Sequence, residues 1–237
     1  MYSDVIGIVG GMGSYATASF FKRLIDAFPV EKEWERPRII IDNRCTMPSR
    51  VRAILYNEKT EELGALLAES VRNLIHSGAT KIVLACNTSH FFLPYIYRMV
   101  PEAKGAIINI IEETCKEIEK SNKSSVSLLA SEGTIECGIF EEYLKDIDNS
   151  DVITLNYPSG ADFILQREII EAVKQNCLQK EDVEKLIHLI NSSKGEIVIL
   201  GCTEFPIAFE HIPSGVIHKE VIDPLHCAIN RIVKEIK

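Results

Sequence analysis

The sequence predicts an α/β protein of two pseudo-symmetric lobes, each a mainly parallel sheet flanked by helices, with a cleft between them. Three observations predict it. Short β-branched runs alternate with longer helical patterns, as parallel strands joined by crossover helices require. The strand-like runs are apolar almost throughout, which suits strands covered on both faces. The chain also repeats weakly: cut near residue 120, each half has a helix of similar length followed by a strand that ends in a cysteine.

In chain order, the apolar runs place strands at Val5–Val9, Arg38–Asp42, Lys81–Ala85, Ala106–Ile110, Ser125–Ala130, Val152–Asn156, Glu196–Leu200 and Val216–Ile222. Helical patterns fill the gaps at Ala16–Phe28, Thr60–His76, Glu112–Lys120, Thr134–Asp146, Asp162–Gln175, Lys180–Asn191 and Pro224–Ile236. The lobes are expected over residues 1–104 and 105–215, with 216–237 returning to the first. No Gly/Ser- or Pro-rich linker parts them, and the charged stretch Lys116–Lys123 is the softest boundary.

Composition removes several function classes. With 26 Lys and Arg against 34 Asp and Glu, the net charge of −8 opposes non-specific binding to nucleic acid or to an anionic membrane surface. The apolar runs fall far short of the ~20 residues that span a bilayer. No basic, apolar leader opens the chain, so a cytoplasmic location is expected. Seven cysteines with no C-x-x-C pair indicate neither a disulfide framework nor a zinc knuckle.

The chemistry is expected at the carboxyl ends of the strands, where parallel α/β sheets place their ligands. Cys86 ends Lys81-Ile82-Val83-Leu84-Ala85, and Cys202 follows Glu196-Ile197-Val198-Ile199-Leu200-Gly201; the two are equivalent under the repeat. Amides opening the next helix would favour a partly ionised thiol at each position. Asn87, Thr88 and Thr203 follow directly and can cap a helix or hydrogen-bond a carboxylate. If a substrate carbon lies between the two thiols, one can remove its proton from one face while the other delivers a proton to the opposite face. Configuration then inverts.

Two further segments stand out. Gly11-Met12-Gly13-Ser14-Tyr15-Ala16 fits the dinucleotide pattern G-x-G-x-x-G/A, with Asp42 as the ribose-binding acid of a rival nicotinamide reading. The fit is loose, because Asp42 lies 29 residues past Gly13 rather than ~20 from the motif. The loop Asp42–Arg52 carries Arg44, Arg50 and Arg52, and an arginine there can grip a carboxylate in bidentate fashion. The six histidines show no metal-ligand spacing, and Asp223 reads as a cap for the last helix.

Gly10-Gly11-Met12-Gly13 with Ala16-Thr17, Cys86-Asn87-Thr88 with His90, and Gly201-Cys202-Thr203-Glu204 occur together and in order. In these motifs the sequence resembles the cofactor-independent aspartate/glutamate racemases over essentially its whole length. The resemblance implies a homodimer of two-lobed subunits, no cofactor, and a small amino acid or dicarboxylic acid as ligand. It implies Cys86 and Cys202 as the acid/base pair, with Asn87, Thr88, Thr203 and Glu204 at the substrate, Met12 walling the pocket and Arg50 receiving the distal carboxylate. Three departures accompany it: Ser14-Tyr15 where the family commonly has Pro, Pro48-Ser49-Arg50 for Pro-Asp-Arg, and Phe163 where many members carry a cation. Related thiol-dependent isomerases and decarboxylases of small dicarboxylic acids share the architecture, as would a non-catalytic relative that binds a small acid.

Overall fold

The computed structural model describes residues 2–145 and 153–236. Two parallel sheets organise them. The first has the order β2-β1-β3, built from β1 (Val5–Gly10), β2 (Arg38–Asn43) and β3 (Lys81–Leu84). The second has the order β5-β4-β6-β7, from β4 (Ser125–Leu129), β5 (Thr154–Asn156), β6 (Ile197–Leu200) and β7 (Glu220–Ile222). Each repeat thus places its second strand on one side of the first and its third on the other.

The helices are α1 (Ser14–Asp26), α2 (Arg50–Tyr56), α3 (Thr60–His76), α4 (Leu93–Met99), α5 (Ala103–Ala106), α6 (Ile110–Ser121), α7 (Glu132–Glu136), α8 (Ile139–Leu144), α9 (Ala161–Lys174), α10 (Lys180–Ser192), α11 (Phe205–Phe209) and α12 (Pro224–Glu235). None among the described residues is long and apolar enough to cross a membrane.

Strand alternation distributes the core. Ile6, Ile8, Val83 and Ala85 of the first sheet join Val126, Leu128, Ile197 and Ile199 of the second in one shared cluster, closed by Ile110, Ile111 and Ile118 of α6 and by Leu225, Ala228 and Ile232 of α12. The alternate residues point the other way: Val9, Ile82 and Leu84 pack under α3, while Leu129, Val198 and Leu200 pack under α9 and α10. Buried on both faces, the central strands are apolar at nearly every position.

Several expected elements are redrawn. The strand expected at Ala106–Ile110 is reduced to one parallel bridge, Ile82 to Ile107, because α5 ends at Ala106 and Asn109 already caps α6 by accepting from the amides of Ile111 and Glu112. That bridge is the first repeat's counterpart of β7, which likewise lies beside its third strand and leads through a capping residue, Asp223, into α12. The strand expected from Val216 begins only at Glu220 and pairs with β6. Residues 220–222 therefore belong to the second sheet. The segment that follows is tied to the first lobe by the ion pairs Arg23–Asp223 (2.6 Å) and Lys81–Glu235 (2.8 Å).

The helix expected over Thr134–Asp146 is two, α7 and α8, parted by Gly138 in a left-handed conformation (φ 61°). Asp146 and Val152, the expected ends of that helix and of β5's strand, lie outside the described residues. The arginine-bearing loop contains a helix, α2, whose N-cap Ser49 accepts from the Arg52 amide at 3.3 Å.

Candidate active site

Cys86, Cys202, Met12, Arg50, Asn87, Thr88, Thr203 and Glu204 all line a single cavity of about 60 Å³. Three surface grooves of about 500 to 540 Å³ are larger, but none is lined by a cysteine. The small cavity is the candidate site because it gathers two thiols, two cations, a carboxylate and a carboxamide at the carboxyl ends of both sheets.

On the first lobe, the chain turns sharply after β3, with the Cys86 amide donating to the Leu84 carbonyl at 2.8 Å. Two side chains then seize the Cys86 carbonyl: Ser89 Oγ at 2.7 Å and His90 Nδ1 at 2.9 Å. His90 Nε2 accepts from the Ile110 amide at 3.4 Å, which fixes the neutral Nδ1–H tautomer. Burial pushes His90 down to about 4, against the pull of the backbone groups it bonds. Asn87 is buried, and neither end of its carboxamide has a partner among the described residues. An orphaned buried amide costs about 1–3 kcal/mol, which a bound ligand can recover. Thr88 Oγ1 lies 2.7 Å from Thr134 Oγ1 and 3.3 Å from Ser131 Oγ, and Ser131 also lines the cavity.

On the second lobe, Cys202 Sγ donates to Glu204 Oε2 at 2.9 Å, and Thr203 Oγ1 donates to the same oxygen at 3.4 Å. The expectation of a partly ionised thiol fails here. Burial pushes the Cys202 thiol well above its ordinary range, and the charge and hydrogen bond of Glu204 push it further; Lys174 opposes and Cys86 adds a last upward increment. Neither cysteine opens a long helix: a 3₁₀ turn, Thr88–Phe92, follows Cys86, and α11 has five residues.

Two cations face the thiols. Arg50 donates to the Met12 carbonyl at 2.8 Å and the Pro48 carbonyl at 3.3 Å, and has no carboxylate partner among the described residues. Lys174, missed in the sequence, reaches the cavity from the last turn of α9, paired with Glu171 at 3.1 Å. Burial pulls its ammonium down, but Glu204, Cys202 and Glu171 together hold it above its ordinary value. Phe163, the position compared with the family's cation, stands eleven residues earlier on the same helix, about 16 Å along its axis. No local signal marks Lys174, because only the packing of α9 on the second sheet turns that end inward. Ser49, Val51, Ser131 and Gly201 complete the lining and were not among the expected site residues.

The glycine-rich turn is filled by protein. A Cβ on Gly11 (φ 81°) would fall 2.4–2.6 Å from the Arg44 backbone, and one on Gly13 would fall 2.4 Å from Glu204 Oε1. A pyrophosphate at this turn would meet the Glu204 carboxylate, so like charge opposes the nicotinamide reading.

The family model for Asp/Glu/hydantoin racemases matches residues 9–232. The broad specificity amino-acid racemase RacX of Bacillus subtilis (strain 168) is 27% identical over 233 residues, 94% of each chain. Among solved structures, the aspartate racemase of Picrophilus torridus superposes with a TM-score of 0.81 at 26% identity, covering 98% of this chain and 94% of that one. An aspartate racemase homologue from Pyrococcus horikoshii OT3 does so with a TM-score of 0.72 at 25% identity, over 98% of each. A match that runs from the end of β1 into α12 takes in both repeats and every residue around the cavity: this chain belongs to the Asp/Glu/hydantoin racemase family.

Proposed function

We propose that the chain is a PLP-independent racemase of a small amino acid, aspartate or glutamate by class, that inverts the α-carbon by proton exchange between Cys86 and Cys202. One observation carries the reading: thiols from equivalent positions of the two repeats converge on one cavity. A thiolate on one face takes the α-proton, and the thiol on the other face supplies its replacement. The carbanionic transition state needs hydrogen-bond donors around the α-carboxylate, a task assigned to Asn87, Thr88 and Thr203. Arg50 and Lys174 face the same space, and two cations suit a substrate with two carboxylates. The thiols perform both proton transfers, so the scheme includes no cofactor. The working unit is a homodimer.

The test is a circular-dichroism screen of L-amino acids, together with product analysis of incubations with maleate and an arylmalonate, all in reducing buffer without added PLP or metal. Loss of optical activity is expected for aspartate or glutamate, and Cys86→Ser and Cys202→Ser should each slow it by roughly 10²–10⁴-fold. Parental rates in both variants would refute the thiol pair. Turnover of maleate or arylmalonate alone would move the chain to the isomerase or decarboxylase branch.

A further inference from the structure

The two thiols are related by the repeat, yet their surroundings are not. Two residues after Cys86 stands Thr88, whose hydroxyl bonds Thr134 and Ser131 and leaves the Cys86 thiol alone. Two residues after Cys202 stands Glu204, only 2% exposed and, among the described residues, the one acidic side chain lining the cavity. A carboxylate is a poor receptor for either carboxylate of an acidic substrate. Its Oε2 is already engaged, accepting from the Cys202 thiol and the Thr203 hydroxyl. Its Oε1 is seated against Gly13, in space that any side chain at that position would take. Glu204 thus lies against Gly13 of the first lobe with Oε1 buried and without a hydrogen-bond partner among the described residues, while Oε2 is bonded to a sulfur of the second lobe.

We propose that Glu204 is a positioning residue for Cys202 that makes the two thiols inequivalent: its carboxylate accepts from the Cys202 S–H and keeps Cys202 as the proton donor of the forward half-reaction, while no carboxylate bonds Cys86 among the described residues. This deepens the racemase reading and rests on it. In the forward half-reaction the Cys86 thiolate forms an S–H bond as Cα–H breaks, and Cys202 S–H breaks as the new Cα–H forms on the opposite face. The charge that began on Cys86 ends on Cys202. There it adjoins the Glu204 carboxylate, so this form of the free enzyme is the disfavoured one. The other charged or titratable groups around that sulfur are Lys174 from α9, which opposes the effect of Glu204, Cys86 after β3, and Arg50 of α2 across the same cavity. Burial and Glu204 act on the Cys202 thiol in the same direction.

Thiol reactivity tests this without reference to turnover. Iodoacetamide alkylation of the parent protein, followed by peptide mass spectrometry at about pH 8, should label Cys86 at least about tenfold faster than Cys202, because alkylation requires the thiolate and the Cys202 proton is held by Glu204. In Cys86→Ser, adding Glu204→Gln keeps a hydrogen-bond acceptor but removes the charge. It should raise the rate at Cys202 by about tenfold and lower the pH at which labelling sets in. The same substitution in Cys202→Ser should leave the rate at Cys86 within about twofold, well inside that tenfold scale. Equal labelling of the two thiols in the parent, or faster labelling of Cys202, overturns the proposal and requires no variant to fold. So does a Cys202 rate unmoved by Glu204→Gln. If the thiols differ as stated but no amino acid is racemised, the pairing stands and the racemase reading falls. Racemisation with equivalent thiols does the reverse.

Discussion

Cys86 is placed by its carbonyl, and His90 is the side chain that ties that carbonyl to the amide opening α6. Because the folded protein keeps this imidazole neutral down to about 4 while an unfolded chain protonates it near 6.5, the bonds persist only where the neutral form is favoured. Stability is therefore full above pH 6.5 and falls as pH drops toward 4, by about 3 kcal/mol from this residue alone. Urea unfolding at pH 7 and pH 4.5 measures it. His90→Asn should lower stability at pH 7 yet lose less than the parent between the two pH values; equal losses would refute the assignment. At this scale the sequence shows the pairing of Cys86 with His90 but not its purpose. Four residues of spacing do not reveal which backbone group the ring will meet.

A short element, α2, holds Arg50 and its cap, and such elements are the least visible in the sequence. Helix α2 has seven residues, too few for a periodic signal to emerge from an arginine-rich loop, and its N-cap Ser49 shows only in the fold. Ser49→Ala should cost about 1 kcal/mol and, by loosening the first turn, raise KM for an acidic amino acid more than it lowers kcat. Steady-state kinetics with a denaturation curve would check both, and an unchanged KM would detach Arg50 from substrate binding. The long elements behave differently. α3 presents Leu63, Leu67, Val71 and Leu74 at helical spacing, all buried, and the central strands are apolar at most positions. Both periodicities can be read in one dimension. Breaks such as Gly138 are legible only as a residue type, since Gly105 and Gly133 sit in helices without breaking them.

Two sheets with one core between them make the molecule a single folding unit. Side chains of β1, β3, β4, β6, α6 and α12 share one cluster, so neither repeat can lose its inner face while the other keeps its own. Ile118→Ala, on α6 at the heart of that cluster, should cost about 2–5 kcal/mol and shift a single unfolding transition without splitting it. Urea curves followed by far-ultraviolet circular dichroism and by the fluorescence of Trp34 in the first repeat would coincide. Separated transitions would show that the repeats unfold independently.

The chain's own order of residues settled the α/β class, the repeat, and the pair of cysteines at matching strand ends, because each is written in periods of two or 3.6 and in short motifs. Folding in three dimensions decided what those periods do not encode. It brought Lys174 into the cleft from the far end of a helix, reduced an expected strand to one bridge, and set a carboxylate beside one thiol only. The physical reason is that charge and burial act through space: the proton affinity of Cys202 depends on Glu204, Lys174 and the depth of the cleft, and no spacing along the chain states how near they stand.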